Sequence, residues 1–330
     1  MERNEVYDFY KAILMFGVVW GHAITSFGGG DVPCNITWFL RLYDMPFFML
    51  ISGFFCNISI KKYSMSVLLL DKTTTILVPA VLWSIIISRK LVLYYAGYYF
   101  LYAVYFSSVI VIIVEKVCNR DNLKYLNWMC YSFIIVLLYL IDSKPFNLCY
   151  LFPFFLLGYK NDTWYRHRLF WFVLFMLGLC FWENSYNIWN ADTNILNGYN
   201  VILLNVYRFV LGCSAVAIMR MVFDMIYSFF KTACPSKVSL ISQTIGRETL
   251  GLYISHVFII LLLKNVILIV ETKFGHNPFL MNGRLLVFFI APLFSMITLF
   301  ICYKVIELCK RNRFLKLLWG FKIRLAKKNN

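Results

Sequence analysis

Charged side chains are scarce in this chain of 330 residues: Asp, Glu, Lys and Arg supply 15%, against 61% hydrophobic and 19% aromatic residues. Mean hydropathy is +0.70. A soluble domain needs a charged exterior, so this scarcity excludes one. Acidic residues are scarcer still, 16 against 32 Lys and Arg. The resulting charge of +16 invites a nucleic-acid reading, but the cations are spread over loop after loop with no soluble fold to present them, and no nucleic-acid partner is expected. Histidine is limited to four residues that do not cluster, and no CxxC occurs. Cys56, Cys130, Cys149, Cys180, Cys213 and Cys302 lie within apolar runs, where cysteine is a small packing residue, and Cys34 alone falls clearly in a polar break. Neither a zinc site nor a disulfide framework follows, and no metal is expected. Internal repeats and low-complexity tracts are missing too, which weighs against an inverted-repeat transporter.

What the chain does have is apolar runs of about 16 to 25 residues from end to end, the pattern of a polytopic helical membrane protein. The expected fold is all-α, a transmembrane helical bundle of about ten spans: 9–27, 38–58, 73–90, 97–116, 126–142, 146–159, 168–183, 199–222, 247–270 and 285–308. The run after the N-terminal MERNEVYDFYK has no small-residue cleavage site behind it and is read as a retained helix. Ten spans put both termini on one side. That side collects Arg3, Lys61, Lys62, Lys72, Lys116, Arg120, Lys124, Lys160, Arg166, Arg168, Lys231 and Lys237, and the opposite loops carry chiefly Arg89, Lys90, Lys144, Lys273 and Arg284. The positive-inside rule then places both termini in the cytoplasm. Residues 1–309 form one membrane domain and 310–330 a basic cytoplasmic tail. In that tail Lys310, Arg311, Arg313, Lys316, Lys322, Arg324, Lys327 and Lys328 interleave with Phe314, Leu317, Leu318, Trp319 and Phe321. The pattern suits an amphipathic helix on anionic membrane lipids, and equally a charge cluster that only sets topology.

Two polar loops, 28–37 and 183–200, mix amides with aromatics or glycines. Such loops suit hydrogen bonding and stacking to sugars, and they also serve as plain solvated connectors. Asn35-Ile36-Thr37 is a glycosylation sequon, relevant only in a eukaryotic secretory pathway.

The chemistry-bearing residues begin in the first span. Lys11 and His22 are separated by ten uncharged residues; on a helix they share a face, about 1,100° of rotation and roughly 16 Å of rise apart. Asp8 falls on that face as well. An ionisable side chain inside a bilayer is costly and marks a functional site by default. A neutral imidazole accepts a proton near pH 7, which qualifies His22 as a general base; Lys11 either takes part or snorkels to the interface. In the second span, Ser52 and Gly53 let another helix or a ligand approach the backbone closely. In the ninth, Thr249, Tyr253 and His256 share one face by their spacing, and His256 is either a neighbour of the catalytic site or a packing residue.

These segments resemble, in order, the signatures of the acyltransferase-3 family of membrane acyltransferases, commonly bacterial, which O-acylate polysaccharides and related surface glycans. Tyr7-Asp8-Phe9-Tyr10-Lys11 with Gly17 to His22 resembles its first-helix signature. Met45-Pro46-Phe47-Phe48 with Ser52-Gly53-Phe54 resembles the second, Leu77-Val78-Pro79 with Trp83 a third, and Gly246 with Leu252-Tyr253 and His256 a late one. The resemblance implies catalytic roles for His22, Lys11 and Asp8, and substrate or cofactor contacts by Lys11, Ser52, Gly53, Lys72, Tyr253 and His256. It implies acetyl-CoA or another acyl-CoA as donor, a glycan or lipid-linked sugar as acceptor, glycan-assembly enzymes as partners, and a bacterial inner membrane. Three positions depart from the family: Lys11 stands where arginine is usual and loses its bidentate fork, Asp44 where histidine is frequent, and Thr75 where an arginine often precedes the third-helix proline. The competing expectation is a proton- or anion-coupled transporter or flippase that uses Lys11 and His22 as a relay.

Overall fold

The computed structural model describes residues 4–27, 35–90, 92–118, 124–140, 147–160, 163–182, 198–274 and 283–320, and among them helices dominate and no strand occurs. The helices are α1 (Glu5–Phe27), α2 (Asn35–Ile60), α3 (Met65–Ser88), α4 (Tyr99–Cys118), α5 (Lys124–Leu140), α6 (Leu148–Lys160), α7 (Arg168–Cys180), α8 (Gly198–Ala233), α9 (Pro235–Gly246), α10 (Thr249–Phe274), α11 (Leu286–Cys309) and the short α12 (Arg313–Leu318). A helix occupies each of the ten apolar stretches. By length and composition, however, five are fit to cross a membrane, α2, α3, α4, α8 and α11, or six if α9 and α10, bent by 67°, act as one span. The helices over 126–139, 148–160 and 168–180 are shorter. α1 has the length, 23 residues, and its polar residues lower its hydropathy.

Local sequence explains the irregular turns. Residues Thr73–Leu77 and Leu286–Ile290 form π-helical turns immediately ahead of α-helical segments that carry a proline at their start. Proline lacks an N–H and its ring crowds the carbonyl four residues back, and a widened turn relieves both. Ser242–Gly246 is a third π turn, at the end of α9.

The most extensive helix pairing joins α2 to α6. It depends on two reciprocal glycines: the space of a Gly53 side chain is taken by the Phe155 carbonyl, and that of a Gly158 side chain by the Leu50 carbonyl. Backbones that touch in this way gain packing and weak Cα–H···O contacts that lipid cannot supply. Aromatic rings fill the adjoining core, with Phe47 stacked on Phe223 at 5.7 Å and both fully buried.

One end of the bundle gathers the termini. Glu5 on α1 pairs with Lys231 near the end of α8, the Asp8 carbonyl packs on Gly246, and Lys310 pairs with Glu248 at 2.5 Å. The tail, described as far as Gly320, folds onto the bundle there. Trp319 is buried against Trp83, whose indole N–H donates to the Leu318 carbonyl at 2.9 Å, and Gly320, at φ +66°, brings its backbone against the Thr75 carbonyl. Residues 28–34, 183–197 and 321–330 lie outside the described residues, so most of both expected sugar-contact loops and the last part of the tail belong there, whereas the sequon Asn35-Ile36-Thr37 opens α2.

Candidate active site

α1 sets the frame. At the gathered end, the Lys11 ammonium lies 2.6 Å from Asp8 Oδ1, an i,i+3 pair, and 5.5 Å from the centre of the Phe55 ring. Around this pair are Tyr10, hydrogen-bonded to Asp224, and Tyr7, to whose hydroxyl Arg220 donates at 3.4 Å. Arg220 also lies 3.7 Å over the Tyr165 ring. The hydrogen bond from Lys231 holds the Glu5 carboxyl below the usual carboxylate range. This is a region of mutually engaged charges.

Eleven residues further along α1, His22 opens onto a cavity of about 230 Å³. Val18 and Gly21 line it from α1, Leu40, Arg41, Asp44 and Met45 from α2, and Gly97 and Tyr99 from the start of α4. Asp44 is buried, and its Oδ1 accepts the N–H of Met45 at 2.5 Å. Arg41 and Asp44, one turn apart, bring opposite charges to the wall that faces a histidine. The small residue Gly21 leaves α1 thin beside His22, with Leu40 as the nearest filling atom.

Behind His22 stands α10. The rings of His22 and His256 have centroids 5.2 Å apart at a 52° tilt, and His256 is in turn 5.2 Å from the Tyr253 ring. His256 is fully buried. Thus the two membrane histidines, from opposite halves of the chain, meet beside one cavity, and Tyr253 extends the group towards Phe100 at 5.4 Å. Thr249, expected on the same polar face, turns its hydroxyl back to the Gly246 carbonyl at 2.7 Å and serves its own helix.

Ser52, Gly53 and Lys72 lie apart from this cavity. The Ser52 hydroxyl donates to Phe48 O at 2.8 Å within α2, and Gly53 sits in the crossing with α6. Of the two uses that close backbone approach allows, helix contact is the one present. Lys72, at the edge of the π turn, acts electrostatically on Cys56 and so flanks the charged end where Lys11 lies over Phe55. Lys11 and Asp8 are paired with each other on the same helix as His22, about 16 Å and about 21 Å of helical rise from it respectively.

Sequence reasoning misses Arg41 and Tyr99 and reaches Asp44 only as a departure from a family pattern. The signal for two of them was present: Arg41 and Asp44 are charges inside an apolar run, the criterion that singled out His22. The same criterion reaches Arg208 and Arg220, both buried in α8. Tyr99 carries no such mark in a chain with 22 tyrosines.

Residues 4–306 match the model of the acyltransferase-3 family, described as an acyltransferase domain. The chain belongs to the acyltransferase-3 family. The match covers every helix of the site, from the start of α1 almost to the end of α11, so this acyltransferase-3 protein is a membrane acyltransferase, and membership sets aside the relay transporter. No curated protein and no solved structure is matched by the chain.

Proposed function

We propose that this protein transfers an acyl group, acetyl in the first instance, from cytoplasmic acyl-CoA to a sugar hydroxyl of an exported or lipid-linked glycan, from within a bundle of ten spans with both termini in the cytoplasm of a bacterium. The observation that carries the proposal is His22 on the wall of a cavity lined by both apolar and charged side chains, one helical track away from a charged end of the bundle.

The cavity's size supports a division of labour. About 230 Å³ is below the range of sites that enclose a drug-sized ligand, roughly 300–1,000 Å³. It suits a thioester end and one hydroxyl, with the nucleotide of the donor left outside. That anionic nucleotide finds cations at the end where Lys11, Lys72 and Arg220 lie, and the pantetheine arm runs along α1 towards His22. The acceptor approaches from the opposite end, past Arg41, Gly97 and Tyr99.

In the reaction, His22 takes the proton of the sugar hydroxyl as its oxygen attacks the thioester carbonyl. The carbon–sulfur bond breaks, and the coenzyme thiolate leaves with that proton. Arg41 offers positive charge to the oxyanion of the tetrahedral intermediate, and the apolar walls of Val18, Leu40 and Met45 keep the local dielectric low, which strengthens that interaction. Partners in glycan assembly would supply the acceptor.

Membranes carrying the chain, labelled acetyl-CoA and extracted glycan provide the test. The wild type is expected to label the glycan and His22→Ala to lose the transfer by about 10²- to 10⁴-fold, the usual worth of a general base. Undiminished labelling by His22→Ala would reject the proposal.

A further inference from the structure

The second histidine has a feature that packing does not explain. His256 Nδ1 lies 2.6 Å from the carbonyl oxygen of Tyr253, one turn back on α10. A carbonyl oxygen only accepts, so Nδ1 carries the hydrogen and donates it. The remaining nitrogen, Nε2, is buried and has no hydrogen-bond partner among the described residues. An imidazolium there would bury both a charge and an unmet donor, whereas the neutral ring buries one bare acceptor, the smaller cost. α10 therefore holds a fixed lone pair inside the bundle, on a ring that packs beside the ring of His22 at a centroid separation of 5.2 Å. That separation accommodates an N–H···N hydrogen bond of about 3 Å between two imidazoles. The ring torsion of histidine is broad, so a modest turn of His22 brings its N–H into line.

We propose that His256 is a positioning residue for His22: its Nε2 accepts the N–H of His22 on the α10 side, which fixes the His22 tautomer so that the nitrogen facing the cavity is the bare one. This rests on His22 as the base. When His22 takes the hydroxyl proton on its cavity nitrogen, its other N–H stays on His256, which remains neutral and neither gains nor loses a proton. The proton on the cavity nitrogen then leaves with the coenzyme thiolate, and the starting tautomer is restored. Tyr253 acts one step further back, through the carbonyl that fixes the His256 ring. A base that needs its tautomer set, with a bare nitrogen held behind it by a backbone carbonyl, follows the general logic of outer contacts that orient a reacting group.

The experiment compares substitutions at position 256 in membranes carrying the full chain, with labelled acetyl-CoA and extracted glycan. His256→Phe keeps the ring volume and removes the acceptor; His256→Gln puts an amide oxygen near the Nε2 position. The proposal expects kcat of His256→Phe to fall about 10- to 100-fold, the usual cost of losing such an outer contact, with the KM for acetyl-CoA unchanged, and His256→Gln to recover most of it. If His256→Phe does not fold, His256→Asn, whose amide reaches only the Nδ1 position, takes its place and is expected to be as slow. Equal loss in both acceptor-lacking and acceptor-bearing variants would make His256 a packing residue, and full activity in all of them would leave it without a role; either result overturns the proposal. Loss of activity in His22→Ala alongside a normal His256→Phe would overturn this inference and leave the assignment of His22 intact, whereas an active His22→Ala would remove both.

Discussion

Two polar groups sunk in this apolar bundle are treated in opposite ways. Glu115 on α4 has both carboxylate oxygens occupied: Oε1 accepts from Tyr131 and Lys160, each at 2.7 Å, and Oε2 accepts from Asn127 at 3.2 Å. Lys160 in turn lies 5.1 to 5.5 Å from the rings of Tyr159, Tyr131 and Trp128. This is a clasp of α4, α5 and α6 around a carboxylate whose two oxygens are both engaged, with Asn127 Oδ1 the one buried acceptor in it that has no partner among the described residues. His22 instead faces a cavity, and its neighbour His256 keeps a buried nitrogen without a partner among the described residues. Burial alone marks both places as costly. What separates structure from chemistry is whether the polar atoms are used up by their neighbours or held ready for something that arrives.

The contrast is broken most severely at His22. His22→Ala is expected to cost about 10³-fold in transfer, or ~4 kcal/mol of transition-state stabilisation, while the thermal midpoint of the solubilised protein moves little, because the ring borders empty space. Glu115→Ala should do the reverse. Removing one partner of a buried pair costs about 3–5 kcal/mol, and Lys160, with a quarter of its side chain exposed, places the expected loss near 3. The folded fraction should keep its kcat. A Glu115→Ala protein that is stable but inactive would mean that the clasp takes part in chemistry and that the distinction between the two clusters is wrong.

The α2–α6 crossing tests the boundary between the two kinds of site. Gly158→Ala drives a methyl into the Leu50 carbonyl, and Gly53→Ala does the same against Phe155. Both obstacles are backbone, so the helices must part, at about 1–3 kcal/mol. If Gly53 acts only in packing, the two variants lose thermal stability alike and keep the KM for acetyl-CoA. A raised KM in Gly53→Ala alone would return Gly53 to the donor path.

Much of this was legible in the sequence because a bilayer imposes few options. Apolar runs must be helices, and each of them is one. Lys11, Asp8 and His22 could be set on one face of α1 because helical periodicity is local, and the Asp8–Lys11 pair follows from it. The cavity was harder to see. Arg41 and Asp44 meet the same criterion as His22, and only folding brings them to one wall with Gly97 and Tyr99. The meeting of His22 with His256 is a tertiary fact, created by the packing of α1 on α10, which no local period encodes. Gly53 shows the opposite difficulty. A glycine says that something comes close, and only the folded chain says that the something is Phe155. In the tail, the burial of Trp319 against Trp83 and Gly251 is likewise a tertiary fact that composition does not encode.

The smallest expected effect is at Lys11, and the comparison explains its size. A lysine held open for a donor phosphate would be worth a charge-assisted hydrogen bond of about 1.5–3 kcal/mol. Lys11 is already engaged, at 2.6 Å from Asp8, and its side chain is one-fifth exposed, so a phosphate must share it with a carboxylate and with solvent. Lys11→Ala is therefore expected to raise the KM for acetyl-CoA by about 3- to 10-fold, or ~0.7–1.4 kcal/mol, with the KM for the glycan unchanged. Lys11→Arg restores the residue usual in the family at this position and keeps the charge, and its guanidinium can hold Asp8 with one edge while offering the other. Its KM for acetyl-CoA should equal the wild type's or lie below it. A rise as large as that of Lys11→Ala would mean that Lys11 serves Asp8 and the packing of α1 rather than the donor, and would move the whole charged end of the bundle to the structural side of the comparison.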